Sequence, residues 1–399
     1  MLGKRSPDDP SWLGRPRMSR QCRALWLLSF LLLTGCSYRS YISFLTALDI
    51  LGEREEPYLG QVYPQAIRRA VTFPGGEGPL QADLYLRPGE GPRPGLLIIH
   101  GLSDMGKDDP RLVRLAFTLG RAGFAALVPD FPGLKEFRIR RGSVRAAVAA
   151  IRYLAREVPE VRGGDLGVLG ISFGGGVALV AAAEEEVRQE VGYVVSFGGY
   201  FDLANVIHYY TTRWYSYEAE EGFGNPEPWA KWFLMVHNLD FVEDPLERPL
   251  FEKILRRKMR DEGSPVEAEV KALSPATQAL YAVLANRDPK RFQALYSEVS
   301  PKVRGLVEDL SLGKTLQRVR ADIILAHSVP DAFVPHTESL RLFDALRGRP
   351  NVSLTLLRTF QHVDPGEERS DRPLGLFGRL REGWKFYRLV DTLMVRAGM

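Results

Sequence analysis

The chain has 399 residues, 45% of them hydrophobic, with 53 Lys and Arg against 49 Asp and Glu. That length exceeds one compact core and calls for a main domain with an insertion. Six of the basic and two of the acidic residues lie in residues 1–35, which leaves 47 of each sign in the remainder. The basic excess therefore belongs to the N-terminal segment and is no argument for nucleic-acid binding.

In chain order, Arg20-Gln21-Cys22-Arg23 is basic and precedes the apolar run Ala24–Leu33 and then Thr34-Gly35-Cys36. This is the layout of a secretory signal, residues 1–35, with an apolar run shorter than the ~20 residues a bilayer span needs. An uncleaved membrane helix is the alternative. Leu33-Thr34-Gly35-Cys36 resembles a bacterial lipobox, which implies cleavage before Cys36, lipid on its sulfur and a place at the cell envelope. Met18 gives a better-proportioned signal than Met1. With Cys22 removed, Cys36 is the remaining cysteine and no internal disulfide can form.

Residues 36–66 read as a tether with a helix over Tyr38–Leu51 packed on the domain. A first core segment, 67–200, opens with strands at Ile67–Phe73 and Leu80–Leu86 joined by Gly75-Gly76-Glu77-Gly78. Buried strands follow at Gly95–Ile99 and Ala125–Asp130, then a helix over Val144–Glu157, a strand at Leu166–Leu169 and another at Tyr193–Phe197. Residues 201–318 lose this alternation and read as a mostly helical cap, dense in Tyr209, Tyr210, Trp214, Tyr215, Tyr217, Phe223, Trp229, Trp232 and Phe233. Most of those aromatics are expected to form the cap's own core, with an apolar substrate pocket as the other reading. The core resumes over 319–399 with strands Asp322–His327 and Val352–Leu357 and a last helix within Leu374–Val395. Alternating apolar strands and helices predict an α/β doubly wound, mostly parallel sheet.

The most informative residues are Gly170-Ile171-Ser172-Phe173-Gly174, set between an apolar strand and the small-residue stretch Gly174–Ala183. Strand, sharp turn and helix in that order expose a serine hydroxyl above the sheet, with glycines where strand and helix close on each other. A serine needs a base, and the base needs an orienting acid. His362, in the loop after Val352–Leu357, is the expected base, with His327 and His336 as rivals. Asp331, just past Asp322–His327, is the expected acid. The backbone N–H groups of Phe173 and of Leu102, in the loop after Gly95–Ile99, are the expected oxyanion donors. His100 is expected to shape that loop, and His208 and His237 to be structural or solvent-facing. No histidine pair has metal-ligand spacing with a supporting carboxylate, so no metal site is expected.

On His100-Gly101, Gly170–Gly175, Asp331-Ala332-Phe333-Val334-Pro335 and His362 the chain resembles the α/β-hydrolase superfamily, in its dienelactone-hydrolase-like and prolyl-oligopeptidase-like branches. The resemblance implies an eight-stranded sheet and cofactor-free hydrolysis of esters or related acyl bonds. Dienelactone hydrolases use cysteine where Ser172 stands, which favours a serine esterase acting on a small acyl substrate. The alternatives are a non-catalytic envelope protein on the same scaffold, or a peptidase of the prolyl-oligopeptidase type. The latter usually carries a propeller domain for which this length leaves no room.

Overall fold

The computed structural model describes residues 38–399 apart from 53, 90, 165, 362–363 and 366–373. The expected lipidation residue Cys36 and the expected base His362 both lie outside the described residues. Contacts divide the chain into Met1–Tyr41 and Ile42–Met399, and the second unit is the one described below.

The main sheet has eight strands: β1 (Ile67–Pro74), β2 (Pro79–Leu86), β3 (Gly95–Ile99), β4 (Ala125–Pro129), β5 (Leu166–Ile171), β6 (Val191–Phe197), β7 (Asp322–Ser328) and β8 (Val352–Leu357). Their spatial order is β1-β2-β4-β3-β5-β6-β7-β8. β1 and β2 form an antiparallel hairpin, β2 runs antiparallel to β4, and the remaining pairs are parallel. β3 and β4 are wholly buried and β5 is buried up to Ile171, as strands covered by helices on both faces must be. This strand order and mixed sense is the α/β-hydrolase fold.

Helices cover both faces. On one lie α3 (Gly142–Arg156) and α4 (Phe173–Ala183), the latter buried along its whole length. On the other lie α2 (Pro110–Ala122) and α7 (Leu376–Arg396), together with the part of α1 (Tyr38–Leu51) from Ile42 onward. Ile42 and Leu45 are buried with Phe386 and Leu389, and Ser43 donates to Asp391 at 3.0 Å, so the helix from Ile42 onward packs on the domain. Asp109 caps α2 by accepting from Arg111 N–H, with Pro110 at the first helical position.

Between β6 and β7 the chain builds short helices around a separate core of Trp232, Phe251, Ile254, Leu255 and Phe292. It also forms a two-stranded hairpin, Trp214–Tyr217 against Glu220–Phe223, where the sequence suggested helix. Its turn holds Glu218 at φ 51° rather than the usual Gly or Asn, so no turn signal marks it. The insertion enters through α5 (Leu203–Thr212), capped by Asp202, and is tied back to the core by Glu338 on α6 (Thr337–Ala345). The Glu338 carboxyl accepts from Phe201 N–H at 3.0 Å, Asp202 N–H at 2.7 Å and the Asn205 amide at 3.1 Å.

Candidate active site

Order reversal in the sheet places the carboxyl ends of β3 and β5 side by side, with Ile99 opposite Gly170. Open α/β sheets gather ligands at that crevice. Ser172 is the first residue past β5 and sits at φ 54°, ψ −127°. For a residue with a Cβ that backbone costs ~1–3 kcal/mol and persists only where the surroundings impose it. They do so here. Ser172 N–H donates to Phe197 O at 2.7 Å, and Ser172 O accepts from Gly175 N–H at 2.8 Å. A Cβ on Gly170 would lie 2.2 Å from Gly174 O, and one on Gly174 would lie 2.6 Å from both Ile99 O and His100 O. Only glycine lets strand and helix meet this closely.

The loop after β3 lies against the serine: a Cβ on Gly101 would be 3.0 Å from Ser172 Cβ and 3.5 Å from Ser172 Oγ. His100 holds this loop from below. Its Nδ1 is 2.7 Å from Gly101 O, and its Nε2 accepts from Phe131 N–H at 3.2 Å. Those partners require a proton on Nδ1 and none on Nε2, the neutral tautomer, and burial pushes the imidazole pKa down in agreement. Leu102 and Phe173 line the same cavity as Ser172.

Asp331 follows β7 and is buried. Its Oδ1 accepts from Phe333 N–H at 2.7 Å and Val334 N–H at 2.8 Å, which fixes the carboxylate. Tyr209 of the cap donates to Asp331 O at 2.9 Å, a contact that no motif in the sequence signals. Of the rival histidines, His327 is wholly buried behind Asp331, with Nδ1 2.7 Å from Ser339 Oγ, Nε2 3.0 Å from Val334 O and 3.5 Å from Asp331 Oδ2. Both ring nitrogens are engaged there. His336 lines the cavity, its Nε2 3.3 Å from Glu220, with a pKa lowered first by burial. His208 stacks on Phe292 and His237 packs on Phe233. The segment that carries His362 is bracketed by antiparallel pairing of Phe360–Gln361 with Asp364–Pro365, and Ser328 at the end of β7 donates to Phe360 O.

Ser172 and Asp331 share a cavity of about 1000 Å³. Six of the nine cap aromatics line it: Tyr209, Tyr210, Tyr215, Phe223, Trp229 and Phe233. This corrects the expectation that most of them serve the cap's own core; Trp232 alone belongs to that core. The reason is that α5, the hairpin and the helix Ala230–His237 each present aromatic side chains to the cavity. Burial drives the phenol pKa of Tyr209 and of Tyr210 upward, with the Asp331 charge adding to it. Among the described residues no group of three or more His, Cys, Asp or Glu is placed to hold a metal.

No family model matches the chain. Among curated proteins it is 30% identical to a peroxisomal succinyl-coenzyme A thioesterase of Mus musculus over 149 residues, 35% of this chain and 34% of that protein. It is 31% identical to a mitochondrial acyl-coenzyme A thioesterase 2 of Mus musculus over 175 residues, 42% of this chain and 37% of that protein. The chain thus spans about a third of the length of the curated relatives it matches. A solved esterase of Pyrococcus furiosus aligns at 14% identity and a TM-score of 0.44, covering 87% of this chain and 96% of that one. The fold rests on the strand order and not on that likeness.

Proposed function

We propose that the protein is a serine hydrolase that cleaves carboxylic esters or related acyl bonds through an acyl-enzyme, held at a bacterial envelope by lipid on Cys36. One observation carries the reading: Ser172 is held at positive φ on the rim of the sheet, in one cavity with the Gly101–Leu102 loop and Asp331. In this mechanism Ser172 Oγ attacks the acyl carbon while His362 accepts its proton. Asp331 orients His362 and stabilises the imidazolium. Phe173 N–H and Leu102 N–H hold the oxyanion, an interaction worth ~10²–10³ in kcat per donor. His362 returns the proton to the leaving group, and water releases the acyl chain by the same steps in reverse.

Two features support His362 as base. Its rival His327 has both nitrogens occupied, and the flanks of its segment are anchored to the end of the strand that leads to Asp331. Replacing Ser172 with Ala is expected to abolish turnover of short p-nitrophenyl esters while the thermal melt is preserved; full residual turnover would reject the assignment. The thioesterase activities of both curated relatives favour acyl thioesters as the related acyl bond. Competition between a p-nitrophenyl ester and the matching acyl-coenzyme A, compared as kcat/KM, decides between ester and thioester.

The envelope reading rests on the lipobox resemblance of Leu33–Cys36. It is supported by exposed apolar side chains: Phe44 of α1 and Trp384 of α7 both pack on the half-buried Tyr387, and Phe377 and Leu380 are exposed on α7 together with Arg379, Arg381 and Arg388. Aromatic and basic side chains together suit a bilayer interface. No described helix is long and apolar enough to cross a membrane. Mass analysis of the N-terminal peptide from a membrane fraction tests this: a diacylated Cys36 at the new N-terminus is expected, and an unmodified chain continuing upstream would refute it.

A further inference from the structure

The cavity at Ser172 has two arms, one under the aromatic-rich cap and one along the sheet face. The cap arm carries polar groups, among them Arg213, Asn225 and Glu227. The other arm passes Ile171 and Phe197 and continues along the sheet face, into the space between the sheet and α1, α2 and α7. Its inner walls are Leu169 and Val195, which stand opposite each other in the β5–β6 ladder, with Ile50, Leu119, Leu389 and Leu393 facing them from the helices. Leu119, Leu169, Val195, Leu389 and Leu393 are all buried in one hydrophobic cluster, so this arm is a gap inside a core. Protein cores are packed almost without voids, and an apolar gap stays dry and accepts an apolar guest. From Ser172 to Leu169 is three strand residues, ~10 Å of depth. The span from Phe386 to Leu393 on α7 adds a wall of similar length, ~10 Å.

Resting on the serine-hydrolase reading, we infer that this arm receives the acyl half of the substrate, and that the acyl group is a long, unbranched aliphatic chain. The reactive carbonyl then lies at the junction of the arms, at Ser172. The leaving group points toward Arg213, Asn225 and Glu227 in the cap arm, where departure returns it to water. A straight chain fits because Leu119, Leu169, Val195, Leu389 and Leu393 present only hydrocarbon to it, while the charged residues of α2 that line the cavity, Asp109, Arg111 and Arg114, lie toward the start of that helix. The alcohol or thiol half gains nothing from this arm.

The test is a series of p-nitrophenyl esters from acetyl to dodecanoyl, run beside acetyl esters of long alcohols. Each methylene added to the acyl side is expected to raise kcat/KM by about fourfold until the arm is full. Lengthening the alcohol side is expected to have no such effect. Val195→Phe and Leu393→Phe each fill the arm, and each is expected to lower the dodecanoyl-to-acetyl ratio of kcat/KM by about 16- to 60-fold, equivalent to losing two or three methylenes of contact. Thermal melts identify any variant that has lost its fold. Binding of dodecanoate to Ser172→Ala protein, measured by calorimetry, reads the arm without catalysis. Dodecanoate binding that Leu393→Phe abolishes, in a wild type that hydrolyses no ester, would uphold the arm and sink the hydrolase reading. Ester turnover that is indifferent to acyl length, or a ratio unchanged in both Phe variants, would overturn the inference.

Discussion

The two walls of the Ser172 cavity are built on different plans. The wall on the sheet side is set by backbone: Gly170 and Gly174 lie so close to Gly174 O, Ile99 O and His100 O that no Cβ can be added at either. The cap wall is set by side chains, with Tyr215, Phe223 and Trp229 partly exposed on a hairpin and short helices that carry their own core. A backbone-defined site admits almost no substitution and fixes the position of one oxygen. A side-chain-defined wall can be re-cut one residue at a time; under the proposed function, reaction chemistry then belongs to the sheet and substrate choice to the cap and the apolar arm.

This contrast can be broken from either side. The largest effect is expected at Asp331→Asn, which leaves the Phe333 and Val334 contacts possible but removes the charge that supports an imidazolium; kcat should fall ~10⁴-fold with the melt little changed. Next, Gly174→Ala drives a methyl group into two carbonyl oxygens with no flexible side chain to yield, and should cost ~4 kcal/mol or more, read as failure to fold or a collapsed melting temperature. Trp232→Ala empties the cap's core and should cost about 3–5 kcal/mol, seen as early protection loss in the cap by hydrogen exchange while the sheet stays protected. The smallest effect is expected at Trp229→Ala, 44% exposed on the cavity rim: under ~1 kcal/mol of stability, with a change in KM and not in kcat. A Trp229 variant that lost as much stability as Gly174→Ala would erase the distinction between the walls.

The joint between the two regions carries a pH signature. Burial, its largest influence, raises the Glu338 carboxyl from its ordinary 4.5 to about 7, against the pull of Asp202 N–H, Arg341 and Phe201 N–H. Because the folded state holds this proton more tightly than the unfolded chain, the resulting stability is complete below about pH 4.5 and is lost as pH rises through about 7. The loss is ~3 kcal/mol from this one group. Melting temperature should therefore fall across that range in the wild type, and Glu338→Gln should flatten that part of the profile. An unchanged slope in Glu338→Gln would remove Glu338 from the account.

What the sequence revealed follows the same divide. Strands β3 to β7 were legible because parallel strands covered on both faces must be apolar throughout, and their observed bounds differ from the sequence reading by a residue or two. The turn at Ser172 was legible because its glycines are required locally. The cap hairpin was not, since Glu218-Ala219 carries no turn signal. The facing of the cap aromatics was not either, because side-chain direction there depends on how short helices dock. Nor were the contacts that join distant segments: Tyr209 to Asp331 spans 122 positions and Asp202 to Glu338 spans 136. The apolar arm is a space left between helices and sheet, and hydrophobic periodicity does not distinguish a wall that is packed from one that is open.

The central claim is that one serine of this chain is chemically activated. A fluorophosphonate probe applied to the folded full-length protein, followed by peptide mass mapping, reads this directly. The account predicts a single stoichiometric adduct on the peptide containing Ser172, absent in Ser172→Ala and strongly slowed in His362→Ala. Folded protein that takes up no probe, or takes it up at another serine, would contradict it.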